Sequence, residues 1–347
     1  MKILKLGVKV SEKRAEELRR ILLDLGVLEG ELKPCQLDRF VVFPITEPDE
    51  RLKRILEEFN AQIVECSFEP RSTKPRSLKD ALKDKIPKDL IQYIPSSYDL
   101  IGDLILIEIP DELRGYSRLI GEELMKLHPR VKSVLMRGET VGEYRIRRVE
   151  VVAGSNDTET IHREHGCMLK LDLRKVFFNP RFSGERLRVA RSVAPGENVL
   201  DMFAGVGPFS IIIARIQPEC RVTAIELNPE AYRYLVENIR LNKVADRVTP
   251  IHGDARKVLE DVRERYDRVI MDLPHSSLGF IETGLRVCKE NGIIHFYGAS
   301  DSVEKLEKEV LDKAREHGYG VEIVFAREVM EVAPRKHIFV LDLRKIS

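Results

Sequence analysis

The sequence contains no tryptophan, and only 6% of its 347 residues are aromatic. Its five cysteines lie far apart and form no CxxC pair, which argues against a zinc site or a disulfide framework and favours a reducing compartment. No run of about 18 apolar residues is present, so we expect no membrane span. The opening MKILKLGVKVSEKRAEELRR becomes charged too early for a secretory signal. These absences predict a globular cytoplasmic protein, long enough for two or three domains.

The first seventy residues follow a strand–helix–strand–strand–helix–strand order. This βαββαβ order predicts a small ferredoxin-like α+β domain over residues 1–70, a common RNA- or protein-binding accessory. The EPRSTKPRS segment that follows is rich in proline, serine and basic residues, so residues 71–77 are predicted to be a linker. A middle α+β domain is expected over residues 78–175, although periodicity alone does not identify its fold.

From about Val176 onwards, apolar strands alternate with helical segments, which predicts a parallel sheet covered on both faces. Five strands are expected at Asn198–Met202, Arg221–Glu226, Val248–His252, Arg268–Asp272 and Gly292–Phe296. Two last strands, Val321–Val329 and His337–Leu343, follow one another without a helix. They predict an antiparallel hairpin at the edge of a doubly wound α/β sheet over residues 176–347.

The sharpest local signal is VLDMFAGVGPFSI, at residues 199–211. An apolar strand ends at Asp201, a turn with Gly205 and Gly207 follows, and a helix begins near Pro208. Glycines let the backbone pass close under a ligand at the carboxyl end of a strand. A dinucleotide site would need a third glycine and would not place a carboxylate beside the pyrophosphate. S-adenosylmethionine, which carries an ammonium and a sulfonium, suits this acidic turn better.

Two further acids follow the next two strands. Glu226 ends the second strand in AIELNP, where a carboxylate accepts both ribose hydroxyl protons, and Asp254 in HGDA is placed to accept from the adenine amino group. Each acid alone is read equally well as a solvated loop residue, but three acids at three successive strand ends predict a cofactor site. The predicted cofactor-binding residues are Asp201, Phe203, Gly205, Gly207, Glu226, Asp254, Ala255, Asp272 and Pro274.

The MDLPHSS segment ends the fourth strand, where amino-group methyltransferases carry an Asn/Asp-Pro-Pro-aromatic loop. Asp272 only accepts hydrogen bonds, and the Watson–Crick edge of guanine offers two donors, the N1 proton and the exocyclic amine. No aromatic residue follows Pro274, which disfavours adenine N6 as the target. His275 is either a base or, more simply, a polar loop residue near the site.

Two segments upstream are rich in arginine. YRIRRVE places Arg145, Arg147 and Arg148 on an alternating stretch, where they either pair with surface acids or contact RNA. NPRFSGERLRVAR places Glu185 at the start of a helix, where it either favours the helix N-terminus electrostatically or takes part in the chemistry.

Together, DRFVVFPI, NPRFSGER, DMFAGVGPFS and the DLP loop resemble the archaeal and eukaryotic tRNA (guanine-N1)-methyltransferases that act at position 37, 3′ to the anticodon. The resemblance covers essentially the whole chain. It implies the class I methyltransferase fold, a Rossmann-like doubly wound α/β sheet with an antiparallel edge hairpin. It also implies a three-domain monomer that binds tRNA and S-adenosylmethionine. The reaction needs no metal, and the sequence contains no metal-ligand cluster.

The same resemblance assigns three catalytic residues. Arg145 matches the arginine that stabilises charge on guanine O6, and Glu185 matches the general base for the N1 proton. Asp272 stands where relatives often have asparagine, so it is a second candidate for the proton. The N-terminal domain is expected to grip the tRNA elbow while the others present a flipped guanine. Basic side chains expected either to contact tRNA or simply to be solvated are Arg71, Lys74, Arg76, Lys79, Lys83, Lys85 and Arg145 to Arg148.

Other functions stay open at this point. Relatives in the wyosine pathway transfer an aminocarboxypropyl group from the same cofactor, and some archaeal members methylate a wyosine intermediate. Glu185 favours methyl transfer to N1, because that reaction must remove a proton from a weakly acidic site. A non-catalytic RNA-binding protein would not need the acidic set, and a nicotinamide enzyme is disfavoured by the glycine turn.

Overall fold

The computed structural model describes residues 2–48, 50–70, 75–142, 144, 146–263, 265–333 and 335–346. The chain divides into two units, Met1–Arg76 and Ser77–Ser347. Arg145 and most of the predicted linker, residues 71–74, lie outside the described residues.

The first unit is a four-stranded antiparallel sheet with two helices. Its elements are β1 (Ile3–Ser11), α1 (Ala15–Asp24), β2 (Cys35–Leu37), β3 (Phe40–Pro44), α2 (Glu50–Phe59) and β4 (Gln62–Phe68). The strand order β2-β3-β1-β4 is that of a ferredoxin-like fold, as the sequence predicted. Alternation buries Val8 and Val10 of β1 against Leu18 and Leu22 of α1.

The second unit begins with a smaller sheet. Its elements are α3 (Leu78–Leu82), β5 (Asp99–Ile101), β6 (Leu104–Ile107), α4 (Ser117–Leu127), β7 (Ser133–Val141), β8 (Ile146–Gly154), β9 (Glu159–Glu164) and β10 (Cys167–Asp172). The strands β5-β6-β7-β8 form one sheet, in which α4 connects the parallel pair β6 and β7. The strands β9 and β10 form a separate antiparallel hairpin.

A seven-stranded sheet with helices follows. Its elements are α5 (Ser183–Ser192), β11 (Asn198–Asp201), α6 (Pro208–Ile216), β12 (Arg221–Glu226), α7 (Pro229–Leu241), β13 (Val248–His252), α8 (Ala255–Val258), β14 (Tyr266–Met271), α9 (Ile281–Val287), β15 (Cys288–Ser300), α10 (Val303–Glu316), β16 (Val321–Ala333) and β17 (Lys336–Lys345). The order is β13-β12-β11-β14-β15-β17-β16, with the first five strands parallel and β17 antiparallel to both neighbours. This confirms the predicted doubly wound sheet and its edge hairpin.

The predicted boundary near residue 175 falls between segments that share one hydrophobic core. Leu104 and Leu169 pack in the same buried cluster as Ile212 of α6. Two asparagines of α7 also bind the backbone of β10: Asn238 contacts the amide and carbonyl of Lys170 at 2.7 and 2.9 Å, and Asn242 does the same for Met168. The three-domain division therefore stays a prediction, with a continuous core across its second boundary.

Within the described residues, no helix has both the length and the apolar character needed to cross a bilayer. No group of three or more potential metal-ligand side chains was found there either. All five cysteines are free thiols, and four of them are buried.

Candidate active site

A cavity of about 680 Å³ lies in the second unit, at the carboxyl ends of β12 and β14. Doubly wound sheets bind their ligands at this edge because the loops that follow the parallel strands meet there. One part of its wall comes from the glycine turn after β11 and from the loops after β12 and β13. Another part comes from the loop after β14, the segment before α5, and the hairpin of β16 and β17.

The glycine turn has the backbone geometry that its sequence predicts. Gly205 and Gly207 have φ angles of 55° and 91°, in the left-handed region that favours glycine. A Cβ at Gly207 would also lie 2.6 Å from Leu235 Cδ1, so a side chain there would clash. Gly205 lines the cavity, whereas Gly207 packs against α7 and does not. Pro208 begins α6 directly after the turn.

Glu226 is held at the cavity wall by backbone amides. Its Oε2 accepts from Gly205 N at 2.7 Å and its Oε1 from Asn228 N at 2.6 Å. Burial raises the pKa of the Glu226 carboxyl, although these amides oppose the shift. Each oxygen keeps accepting capacity, so the carboxylate suits a ligand that offers two hydroxyl donors.

Asp201 lies beneath the turn and does not line the cavity. It is 1% exposed, and its Oδ2 accepts from the Ser210 hydroxyl at 2.6 Å. Burial raises the pKa of Asp201 to about 6. This bond ties the end of β11 to α6 and so supports the turn from below.

Asp254 and its neighbours complete this end of the cavity. Asp254 caps α8 by accepting from Arg256 N at 2.8 Å, and both Asp254 and Ala255 line the wall. Phe203 and Phe280 meet edge to face at 4.9 Å and line it as well. The sequence had not singled out Phe280, because a lone aromatic residue in a helical stretch carries no motif.

These residues fit S-adenosylmethionine. Gly205 has no side chain, so a ligand can lie against the backbone of the turn. Glu226 offers a fixed carboxylate for the ribose hydroxyls. Phe203 and Phe280 supply an apolar wall for a planar base, and Asp254 lies beside it. The carboxyl groups of Glu226 and Asp272 on the cavity wall suit a cationic ligand.

Two backbone carbonyls of the loop after β14 are bonded within the protein. The carbonyl of Leu273 accepts from the amides of Ser276 and Ser277, and the carbonyl of Pro274 accepts from Ala299 N. Asp272 lines the cavity beside them. Its pKa is raised to about 7, chiefly by burial and further by Asp201, while Arg186 opposes the shift. The neutral form of Asp272 is therefore more favoured than that of an ordinary carboxyl.

Glu185, at the start of α5, is buried and does not line the cavity. Its Oε2 accepts from Arg188 Nε at 3.0 Å and from the Tyr297 hydroxyl at 3.1 Å. Its Oε1 accepts from Arg327 of β16. The structure therefore does not bring Glu185 and Asp272 together on the cavity surface, and the third predicted catalytic residue, Arg145, is outside the described residues.

Arg186 lines the cavity where Glu185 does not. It is 3% exposed and donates to Glu164 Oε2 and to the carbonyl of Asn179, both at 2.7 Å. Its guanidinium also lies 4.9 Å from the centroid of Phe178. Sequence reasoning missed Arg186, although it is part of NPRFSGER, because an arginine in the first turn of a helix is ordinarily solvated.

Known proteins match the chain over its whole length. Residues 160–324 match the TRM5/TYW2 methyltransferase domain, residues 78–158 the TYW2 N-terminal domain, and residues 7–53 the tRNA methyltransferase 5 N-terminal domain. The tRNA (guanine(37)-N(1))-methyltransferase Trm5b of Pyrococcus abyssi is 39% identical over 344 residues, 98% of each chain. The tRNA(Phe) (4-demethylwyosine(37)-C(7)) aminocarboxypropyltransferase of Pyrococcus horikoshii is 36% identical over 277 residues, 78% of this chain and 96% of its own.

A solved structure of a complex of aTrm5 and tRNALeu is similar throughout, with a TM-score of 0.85 and 35% identity over 99% of this chain and 100% of that one. Sheet order, glycine turn and cavity together are those of a class I S-adenosylmethionine-dependent methyltransferase. Within that class, the chain belongs to the TRM5/TYW2 methyltransferase family.

Proposed function

We propose that the protein transfers a methyl group from S-adenosylmethionine to N1 of the guanosine at position 37 of tRNA. The observation that carries this proposal is the extent of the likeness. The methyltransferase relative aligns with both units, whereas the aminocarboxypropyltransferase relative aligns with only part of the chain. The N-terminal unit also matches a domain of tRNA methyltransferase 5.

The chemistry begins with a proton. Guanine N1 is protonated at neutral pH, so its lone pair attacks only after that proton has gone to a base. S-adenosylmethionine, when bound, supplies a methyl group on a cationic sulfur. The N1 lone pair forms the new N–C bond while the C–S bond breaks and its electrons stay on sulfur. Because the leaving group is then a neutral thioether, the step needs no metal.

Glu185 is the proposed general base, as the family resemblance implies. Arg188 and Tyr297 occupy one oxygen of its carboxylate, while the other pairs with Arg327, whose side chain is half-exposed. Glu185 is buried and does not line the cavity, so we propose that substrate binding displaces Arg327 from Oε1 and brings this oxygen within reach of the N1 proton. Arg145 is proposed to stabilise the charge that develops on guanine O6.

Asp272 is the second candidate for the proton. It lines the cavity and its pKa is raised to about 7, so it accepts a proton near neutral pH without a rearrangement. Its proposed role is to read the donors of the guanine edge, with Pro274 fixing the loop. Asp201 and Gly207 support the cofactor site from behind Phe203, Gly205, Glu226, Asp254 and Ala255, which line the cavity.

The test is direct. The protein is incubated with unmodified tRNA transcript and methyl-labelled S-adenosylmethionine, and the modified nucleoside is mapped by mass spectrometry. We expect 1-methylguanosine at position 37. An aminocarboxypropyl adduct, or no product on any tRNA, would overturn the proposal.

Assembly and location are part of the same proposal. We expect a monomer, because each chain carries its own complete cavity, and we expect activity to survive chelators because the leaving group is neutral. Light scattering and an assay with EDTA examine these two points. A cytoplasmic location is expected from the free thiols, four of which are buried.

A further inference from the structure

A single arginine joins two of the loops that line the candidate active site. Arg256 is an exposed residue of α8 and directly follows Asp254 and Ala255, which both line the cavity. Its backbone amide donates to Asp254 Oδ1 at 2.8 Å. Its side chain reaches the short turn Ser277–Phe280 in the segment after β14. Arg256 therefore contacts the proposed adenine acceptor through its backbone and the aromatic wall of the cavity through its side chain.

Two contacts hold the guanidinium of Arg256 against this turn. Its Nη2 atom donates to the carbonyl of Gly279 at 3.1 Å. Its Cζ atom lies over the ring of Phe280, 3.9 Å from the centroid, which is within the range of a cation–π contact. A Cβ at Gly279 would lie 3.4 Å from Nη2, so the missing side chain leaves room for this close approach. One face of the Phe280 ring is thus covered by the guanidinium.

The contacts of the Arg256 side chain are with the turn and not with an acid. Within the described part of the chain, no carboxylate forms an ion pair with it, and its guanidinium contacts the Gly279 carbonyl and the Phe280 ring. The nearby Arg286 of α9 instead pairs with Glu282 at 3.1 Å. An arginine that only balanced surface charge would be expected to resemble Arg286. The position of the Arg256 guanidinium is therefore explained by the turn.

Phe280 is the residue through which this contact reaches the cavity. Phe280 lines the cavity, whereas Arg256 does not. The Phe280 ring also meets Phe203 edge to face, at 4.9 Å and an angle of 81°. It is only half-buried and belongs to a single 3-10 turn, whose hydrogen bonds have poorer geometry than those of an α-helix. The ring therefore depends on its packing partners for its position, and Arg256 is one of them.

We propose that Arg256 is a positioning residue for S-adenosylmethionine, which holds the Phe280 ring in the adenine wall through the cation–π contact and the bond to the Gly279 carbonyl. The inference rests on the cofactor site described above. It depends on the proposed function only in taking S-adenosylmethionine as the methyl donor, and it holds for any base that is methylated. Because the adenine is not the reacting part of the cofactor, Arg256 sets cofactor affinity.

Arg256→Gln removes the cation, and Lys257→Gln is the matched control. Lys257 is the next residue of α8, is exposed and does not line the cavity, so this variant loses the same charge at the same surface. Isothermal titration calorimetry measures the affinity for S-adenosylmethionine and for adenosine, which shares only the adenine and the ribose. We expect Arg256→Gln to weaken binding of both by roughly two- to fivefold, as for the loss of one exposed cation–π contact. Lys257→Gln should bind both like the wild type.

A double-mutant cycle with Phe280→Leu distinguishes action through the ring from a general effect of charge. If Arg256 acts through the ring, Arg256→Gln should have little further effect on cofactor affinity once Phe280 has been replaced. The proposal is overturned if the two losses add, if Arg256→Gln binds like the Lys257→Gln control, or if it weakens S-adenosylmethionine without weakening adenosine.

Fluorescence follows the position of the ring directly. The sequence contains no tryptophan, so Phe280→Trp introduces a single indole at this place. Adding Arg256→Gln should shift the indole emission to longer wavelength, because a ring without its cationic partner becomes more exposed to water, whereas adding Lys257→Gln should not. An emission spectrum that Arg256→Gln leaves unchanged would count against the proposal. None of these measurements needs tRNA or turnover, so failure of the wild type to methylate tRNA would count against the proposed function alone.

Discussion

At the scale of single residues, three carboxylates of the cofactor end differ in how they tolerate burial. Glu226 is compensated by two backbone amides, and Asp201 by the Ser210 hydroxyl. Asp272 has no such donor in reach among the described groups, and its pKa of about 7 reflects this. A buried charge without donors favours its neutral form, which explains why the pKa of Asp272 is raised.

Glu226 should carry much of the cofactor affinity. Glu226→Ala removes the proposed acceptor of the ribose hydroxyls, and hydrogen bonds to a charged group contribute roughly 1.5–3 kcal/mol, or on the order of tenfold or more in affinity. Isothermal titration calorimetry with S-adenosylmethionine measures the loss. Glu219→Ala, at an exposed loop position, should bind like the wild type. If the two variants bound S-adenosylmethionine with equal affinity, Glu226 would not be a cofactor-binding residue.

The identity of the base is decided by a pair of variants. If Glu185 accepts the proton, Glu185→Gln should slow single-turnover methyl transfer by roughly 10²–10⁴-fold at neutral pH and leave cofactor affinity intact. The defect should shrink as pH rises, because hydroxide then removes more of the proton. Asp272→Asn keeps an oxygen acceptor and should stay active. The reverse result would assign the proton to Asp272.

The pH dependence of the free energy of unfolding provides a second test of Asp272. Its folded-state pKa of about 7 lies above the ordinary value of 3.8, so the folded protein binds this proton more tightly than the unfolded chain does. Stability from this group is present at acidic pH and is lost as pH rises through the window from about 4 to about 7. Asp272→Asn should flatten that fall in a series of denaturant titrations. An unchanged profile would show that Asp272 does not titrate there.

Most of the residues that the sequence predicted for the cofactor line the cavity, because each follows a strand and the strand ends meet at one edge of a parallel sheet. Sequence reasoning could not show that Asp201 lies under the turn, since a side chain's direction depends on its partner, here Ser210 on α6. Nor could it show that Glu185 pairs with Arg327, a residue 142 positions away. Motifs report local order along the chain, whereas ion pairs depend on how distant elements pack.

At the scale of elements, a buried polar chain joins α5 to the sheet. Arg188 donates to both oxygens of Asp342 on β17, at 2.6 and 3.1 Å. Asp342 also contacts His295 Nδ1 at 2.6 Å, and His295 Nε2 contacts Arg268 at 2.8 Å. Burial lowers the pKa of His295, so the ring is neutral and donates to Asp342 while accepting from Arg268. This series of hydrogen bonds holds the Arg188 side chain in place, and Arg188 in turn holds one carboxylate oxygen of Glu185.

Asp342→Asn should therefore destabilise the protein. Removing one partner of a buried charge pair leaves the other uncompensated, at a cost of roughly 3–5 kcal/mol in the free energy of unfolding. Asp342 has its pKa lowered to about 2 by His295 and Arg188 against the effect of burial. Its contribution is therefore complete above its ordinary pKa of 3.8 and is lost as pH falls towards about 2.

Denaturant titration measures this loss, and Asp312→Asn serves as the control because Asp312 is an exposed residue that pairs within α10. We expect Asp342→Asn to lose its deficit relative to the wild type as the pH is lowered towards about 2. A deficit of the same size at every pH would mean that packing, and not charge, is responsible.

At the scale of the whole molecule, the net charge is close to zero although the charges are unevenly distributed. The numbers of basic and acidic residues, 58 and 57, nearly cancel, yet five arginines gather in one cavity beside the candidate active site. Composition could not predict this gathering of arginines, because they come from β7, β8 and segments on either side of them.

The two units each have a hydrophobic core of their own, one around Val8 and Leu18 and one around Leu104 and Val340. Removing residues 1–76 should therefore leave a folded protein that binds S-adenosylmethionine as the full chain does. If the N-terminal unit grips tRNA, its removal should weaken tRNA affinity more than it slows single-turnover methyl transfer at saturating tRNA. Calorimetry, anisotropy and rapid-quench assays on the truncated and full chains measure the three quantities. Loss of cooperative unfolding in the truncated chain would show that the two cores depend on each other. An equal loss of tRNA affinity and of the rate of methyl transfer would show that the N-terminal unit takes part in catalysis itself.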